Sequence, residues 1–132
     1  MDTTRGEMLQ AVFEGVAFGL RDSLEVARSI GVNPDRTTIC GGGAKSPLWR
    51  QIVANVMNLK VDTVEVEEGP AYGGAILAAV ADGKFQSVEE AVQKLVRIKD
   101  TTEPDQILVS KYQEKYDKFI KLYPALKDFY KA

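Results

Sequence analysis

A β-prone run, Thr37-Thr38-Ile39-Cys40, stops on three consecutive glycines, Gly41-Gly42-Gly43, and Ser46-Pro47 follows three residues later. Ser46 suits a helix N-cap and Pro47 the first helical position, where a missing N–H costs nothing. Leu48, Ile52, Val53, Val56 and Met57 then form the apolar face of a helix. Strand, glycine loop and helix in this order define an α/β unit. Free backbone N–H groups and the positive end of the helix dipole converge where such a loop meets its helix, and a phosphate group fits there. Glycines let the backbone approach a ligand, and Lys45 and Ser46 could add a charge or a hydroxyl. The same residues also suit a tight turn, with Ser46 only a cap and Lys45 only solvated, and the local pattern leaves both readings open. Two phosphate-binding motifs are excluded: a P-loop needs glycine directly before Lys-Ser, where Ala44 stands, and a G-x-G-x-x-G run from Gly41 meets Ser46 at its last position.

The rest of the chain extends this unit. Leu9, Val12, Phe13, Val16, Leu20, Leu24 and Ala27 recur at helical spacing, preceded by a capping box from Thr4 to Glu7, and this helix is expected to end near Gly31. Gly15 and Gly19, four residues apart, lower helix propensity by about 1 kcal/mol each, so another backbone is expected to pack closely there. Val61 to Val66 reads as a second strand, and an Ala/Gly-rich helix follows from Ala71 to Ala81, closed by Gly83. Ser87 to Glu90 repeats the capping-box pattern before a short helix, and Lys99 to Asp105 reads as a polar loop. Ile107, Leu108, Tyr112, Tyr116, Phe119, Ile120 and Tyr123 share one face of a last helix that Pro124 interrupts or kinks. The organisation is a βαβα core over about 1–98 and a helical tail over about 99–132. A parallel strand pair is expected, and two strands are too few for a complete sheet, so further neighbours are expected from upstream residues or from another copy of the chain.

Composition narrows the function classes. With 17 basic and 19 acidic residues mixed along 132 positions and a net charge of −2, no basic stripe for nucleic acid or anionic lipid exists. No histidine and a single cysteine, Cys40, disfavour a zinc site, a Cys/His nucleophile pair or an internal disulfide. No apolar run approaches the roughly 20 residues of a membrane span, and residues 1–10 lack a signal-peptide apolar region, which makes the cytoplasm the default. Glu67-Glu68 reads as a solvated loop pair rather than a base or metal ligand, and Trp49 and the tyrosine stripe as packing.

Three ordered stretches, Glu14 to Arg21, Cys40 to Gln51 and Glu68 to Ala78, together resemble the C-terminal region of the FGGY family of carbohydrate kinases. The middle stretch looks closest to the xylulokinase branch. The resemblance implies part of the C-terminal lobe of an actin-like ATPase (ribonuclease H-like) fold, with few parallel strands and helices packed around them. It implies transfer of the γ-phosphoryl of ATP, with Mg2+, to a sugar such as D-xylulose, or ribulose, fuculose or gluconate elsewhere in the family. Gly42, Gly43 and Ala44 match the family's Gly-Gly-Ala at the nucleotide, and Gly41 precedes them. Ser46 lies near the place of an asparagine that touches adenine, on a loop that is shorter here. The Ala71 to Ala79 segment matches a helix beneath the nucleotide.

The family's catalytic aspartate and sugar-binding residues lie upstream of the matched part, so no catalytic residue is expected in this chain and the chain alone is expected to be inactive. A non-enzymatic oligomerising or nucleotide-sensing module is the alternative. Uncovered strand edges and apolar helix faces favour a homo-oligomer.

Overall fold

The computed structural model describes residues 2–66 and 69–131. Helix α1 spans Arg5–Ser29, strand β1 Arg36–Thr38, helix α2 Pro47–Met57, strand β2 Lys60–Val64, helix α3 Gly69–Ala81, helix α4 Val88–Leu95, strand β3 Ile98–Thr102 and helix α5 Gln106–Leu126. The sheet order is β1-β2-β3, with β1 parallel and β3 antiparallel to β2. The expected parallel pair is therefore present. The segment read as a polar loop from Lys99 contains β3, so one neighbour of the pair lies inside the chain. Its Ile-Lys-Asp-Thr-Thr sequence shows no apolar alternation because β3 is an outer strand with three exposed residues.

The register shifts on passing Thr63 and Val64, which face Asp100 and Ile98, so Lys99 is the extra residue of a bulge. Buried Asp62 stitches all three strands together: it pairs with Arg36 of β1 at 3.0 Å and accepts from the Thr101 hydroxyl of β3 at 2.6 Å.

Helix α2 is the centre of the core. One face, with Ile52 and Val56, packs on Ala17 and Phe18 of α1 and on Tyr112 and Tyr116 of α5. The other, with Val53, Ala54 and Met57, packs on Leu59 and Val61. Burial on two sides explains why six consecutive residues of α2, 52 to 57, are buried, including Asn55, whose carbonyl accepts from Gln51 and from the Asp105 N–H at the start of α5. Leu48, counted on the apolar face, is exposed. Arg21 and Arg28 of α1 donate to the Val56 and Met57 carbonyls, satisfying acceptors at the end of α2.

Local signals translated closely into structure at the helix ends. Thr4 and Glu7 form both bonds of the capping box, and Ser46 Oγ accepts from the Trp49 N–H at 3.3 Å. Ser87 caps α4 through the Glu90 N–H, but the Glu90 carboxylate accepts from Gln86 N–H, one residue before the cap. Gly83 closes α3 at φ 79°, with the Gly83 and Lys84 N–H groups returning to Val80 and Ala79. Helix α5 passes through Pro124 and stops two residues later, since the lost bond lies in its last turn. A Cβ on Gly15 or Gly19 would meet nothing within 4 Å, which corrects the close-backbone expectation. The face carrying them is open: Leu9, Val12, Phe13, Val16 and Leu20 are 45% to 65% exposed.

The α1–α5 contact holds a polar network with a pH signature. Buried Glu14 accepts from Gln10, from Lys115 at 2.8 Å and from the Tyr112 hydroxyl at 3.1 Å. Burial opposes its ionisation, but the Lys115, Gln10 and Tyr112 bonds outweigh burial and hold the carboxyl below its usual value. Burial first, and the Glu14 charge second, push Tyr112 up to about 12; burial and the Asp22 bond do the same for Tyr116. A lowered carboxyl contributes stability above its unfolded value that is lost as pH falls through the folded one; a raised tyrosine contributes stability that is lost as pH rises through about 12. Ultraviolet titration is expected to show Tyr112 and Tyr116 ionising late, together with unfolding. In Glu14→Gln the acid limb of the stability profile should flatten; an unchanged limb would remove Glu14 from this account.

Candidate nucleotide site

The backbone leaves β1 through Ile39, whose N–H still bonds the Asp62 carbonyl at 2.9 Å, and reaches Gly41 at φ 79° and ψ −170°. That combination is essentially restricted to glycine. Residues Gly42–Lys45 then form one 3-10 turn, with the Ala44 N–H returning to the Gly41 carbonyl and the Ser46 N–H to the Gly43 carbonyl, both at 3.1 Å. The Gly42 and Gly43 N–H groups precede the first of these bonds and are the orphan donors of the turn.

Beside the turn lies a cleft of about 260 Å3 lined by Gly41, Ala44, Lys45, Arg50, Lys99 and Asp100, with Ile39, Cys40, Thr63 and Val64 as its floor. It sits at the carboxyl ends of the parallel strands β1 and β2, where open α/β sheets take ligands. Among the described residues that line it, Lys45, Arg50 and Lys99 are basic and Asp100 is acidic. Arg50 Nη2 pairs with Asp100 at 3.3 Å, and its Nη1 donates to the Ala44 carbonyl at 2.9 Å.

Of the residues singled out in the sequence, Gly41 and Ala44 line the cleft, Gly42 and Gly43 build the turn, and Ser46 caps α2 away from the lining. Trp49 does not line the cleft. It packs against the turn from behind, so close that a Cβ on Gly43 would stand 3.0 Å from its Cδ1, and its ring lies 5.9 Å from that of Phe13. Gly69, at the start of α3, approaches Cys40 similarly, its Cβ position lying 3.2 Å from Sγ. The small-residue helix α3 thus begins beside the cleft, while Gly73 and Gly74 face open space. Glu67 and Glu68 lie outside the described residues. Among the described residues, no group of three acidic, Cys or His side chains could hold a metal, and no helix is long and apolar enough to cross a membrane.

Sequence reasoning missed Arg50, Lys99 and Asp100. Arg50 stands inside the quoted Cys40 to Gln51 stretch, and its place in the first turn of α2 was the available signal, since helical side chains lean toward the N-terminus. Lys99 and Asp100 were hidden by the misread strand β3.

A parallel strand pair feeding a glycine turn, with its helices on α2 as a central layer, is part of an actin-like ATPase fold. Residues 1–81 match the C-terminal domain of the FGGY family of carbohydrate kinases, and the chain belongs to that family. It is 36% identical over 124 residues to the xylulose kinase of Bacillus subtilis (strain 168), covering 94% of this chain and 25% of that protein. The crystal structure of xylulose kinase from Rhodospirillum rubrum superposes with a TM-score of 0.83 at 30% identity, covering 98% of this chain and 26% of that one. That of gluconate kinase from Lactobacillus acidophilus gives 0.84 at 26% identity, covering 96% and 26%. The chain spans about a quarter of the length of the relatives it matches.

Proposed function

We propose that this chain forms one wall of the nucleotide site of an ATP-dependent sugar kinase, and that the whole enzyme converts D-xylulose to D-xylulose 5-phosphate in the cytoplasm. The observation that carries the nucleotide reading is the glycine-only conformation at Gly41, which opens the glycine turn beside a cleft at the strand ends. The similarity to xylulose kinases supports the sugar; the similarity to a gluconate kinase supports a second reading, the same reaction on another sugar. The uncovered apolar stripe of α1 supports the expectation that the protein works as an assembly with further kinase residues or a second copy.

In this reading Gly41, Gly42, Gly43 and Ala44 lie against the phosphates and adenosine of ATP or ADP, and Ser46 holds the helix end that adds its dipole to the site. The turn fits a nucleoside polyphosphate. Mg2+ bound with the nucleotide would supply charge stabilisation for the transfer, and no residue of this chain is assigned to it. Phosphoryl transfer needs in-line positioning and charge stabilisation from both sides of a cleft. In this reading the chain supplies one side, and the catalytic base comes from the rest of the enzyme.

Two measurements test the reading together. Titration with Mg-ADP is expected to change Trp49 fluorescence saturably, with heat in calorimetry, and Gly42→Val is expected to abolish both. Gly42 is the appropriate variant because its Cβ would meet nothing in the protein, whereas a side chain on Gly43 would strike Trp49 and change the signal for packing reasons. No binding by the parent chain would overturn the preformed half-site. With Mg-ATP and D-xylulose the isolated chain should give no ADP; measurable turnover would mean that it carries a base of its own.

A further inference from the structure

The glycine turn has a weak point that the sequence itself creates. Its carbonyls pass hydrogen bonds forward in steps of three, Gly41 to Ala44 and Gly43 to Ser46, and the residue three beyond Ala44 is Pro47, which has no N–H to give. The Ala44 carbonyl therefore receives nothing from that position, and Ala44 is the one half-buried residue between exposed neighbours, 41–43 and 45–48. Arg50, one turn further along α2, supplies a donor: its Nη1 reaches the Ala44 carbonyl at 2.9 Å. Its Nη2 is held at 3.3 Å by Asp100, which also accepts from the Thr101 N–H at 2.9 Å. Asp100 borders the bulge at Lys99, so the antiparallel strand enters the account as the anchor of an arginine. The Arg50 side chain is 17% exposed, and its Nε is buried without a partner among the described residues, so its outer nitrogens are the ones that act.

We propose that Arg50 is a positioning residue of the nucleotide site. Its guanidinium replaces the donor that Pro47 lacks, holds the last carbonyl of the glycine turn and, through Asp100, locks the turn to β3. The role at the site rests on the nucleotide reading above; the effect on the turn does not. Arg50 acts through backbone placement, leaving the phosphate contacts to the Gly42 and Gly43 N–H groups.

Amide hydrogen exchange on the whole 132-residue chain without ligand tests the first part. In Arg50→Gln and in Asp100→Asn the Ala44 and Ser46 amides should exchange about tenfold faster, while Val56 and Val61 in the core keep their protection. Arg50→Lys, able to keep one of the two bonds, should fall between. Unchanged Ala44 and Ser46 amides in both variants would overturn the proposal, as would an equal rise at Val56 and Val61, which would make Arg50 a contributor to global stability only. Should Arg50→Gln not fold, Asp100→Asn decides, since that carboxylate is largely exposed.

The sign of a binding change tests the second part. A positioning role predicts that Asp100→Asn weakens Mg-ADP binding by about tenfold, because the turn loosens. Tighter binding would overturn it, because an arginine released from Asp100 would then be touching the phosphates itself. If the parent chain binds no Mg-ADP, the nucleotide reading fails, and the exchange result still decides whether Arg50 holds the turn.

Discussion

Phe18→Ala should lose about 3–5 kcal/mol of unfolding free energy, the largest effect expected from any single truncation in this chain. Phe18 is 5% exposed, and three aromatic rings surround it: Tyr112 at 6.2 Å, Tyr116 at 6.0 Å and Phe119 at 5.3 Å between centroids. Removing the ring leaves a cavity lined by groups that cannot collapse into it, because Tyr112 and Tyr116 are tethered by their hydroxyls to Glu14 and Asp22. The loss is large against the roughly 5–15 kcal/mol that holds a typical domain. Urea denaturation followed by far-ultraviolet circular dichroism measures it, with Phe18→Leu as the control that keeps most of the volume. A change below about 1 kcal/mol for Phe18→Ala would show that α5 is not packed on α1 as described.

Gly41→Ala should weaken Mg-ADP binding by about 10- to 100-fold while leaving the fold in place, and the reason is conformational. At φ 79° and ψ −170° the residue occupies a region that a Cβ makes unfavourable by about 1–3 kcal/mol. A Cβ there meets nothing within 4 Å, so no clash contributes. The backbone relieves the strain by rotating at residue 41, and every amide of the turn rotates with it. Calorimetry gives the affinity and a thermal melt the stability; parent-like binding by Gly41→Ala would disconnect the turn from the ligand. Gly43→Ala is different in kind, since its Cβ would press on the Trp49 indole at 3.0 Å and report on packing.

The site was half legible before the fold was known. Gly41 to Ser46 announce themselves because glycine runs, a capping serine and Pro47 act within a few residues, and the structure turns them into a 3-10 turn and a capped helix in place. Arg50 and Asp100 did not announce themselves. Their pairing crosses 50 positions, and Asp100 sits on an outer strand whose Lys-Asp-Thr-Thr sequence looks like any polar loop until β2 is placed beside it. Glycines 15 and 19 misled for the opposite reason: they suit a close approach, but among the described residues no backbone makes one.

Helix ends, the parallel strand pair, the glycine turn and the family were determined by the sequence alone, because caps, turns and ordered motifs depend on neighbours a few positions away. The third strand, the central place of α2, the buried Asp62 and Asn55, and the arginine behind the turn were decided only by the tertiary structure. Those features rest on contacts between distant segments, where burial and hydrogen-bond satisfaction override local preference.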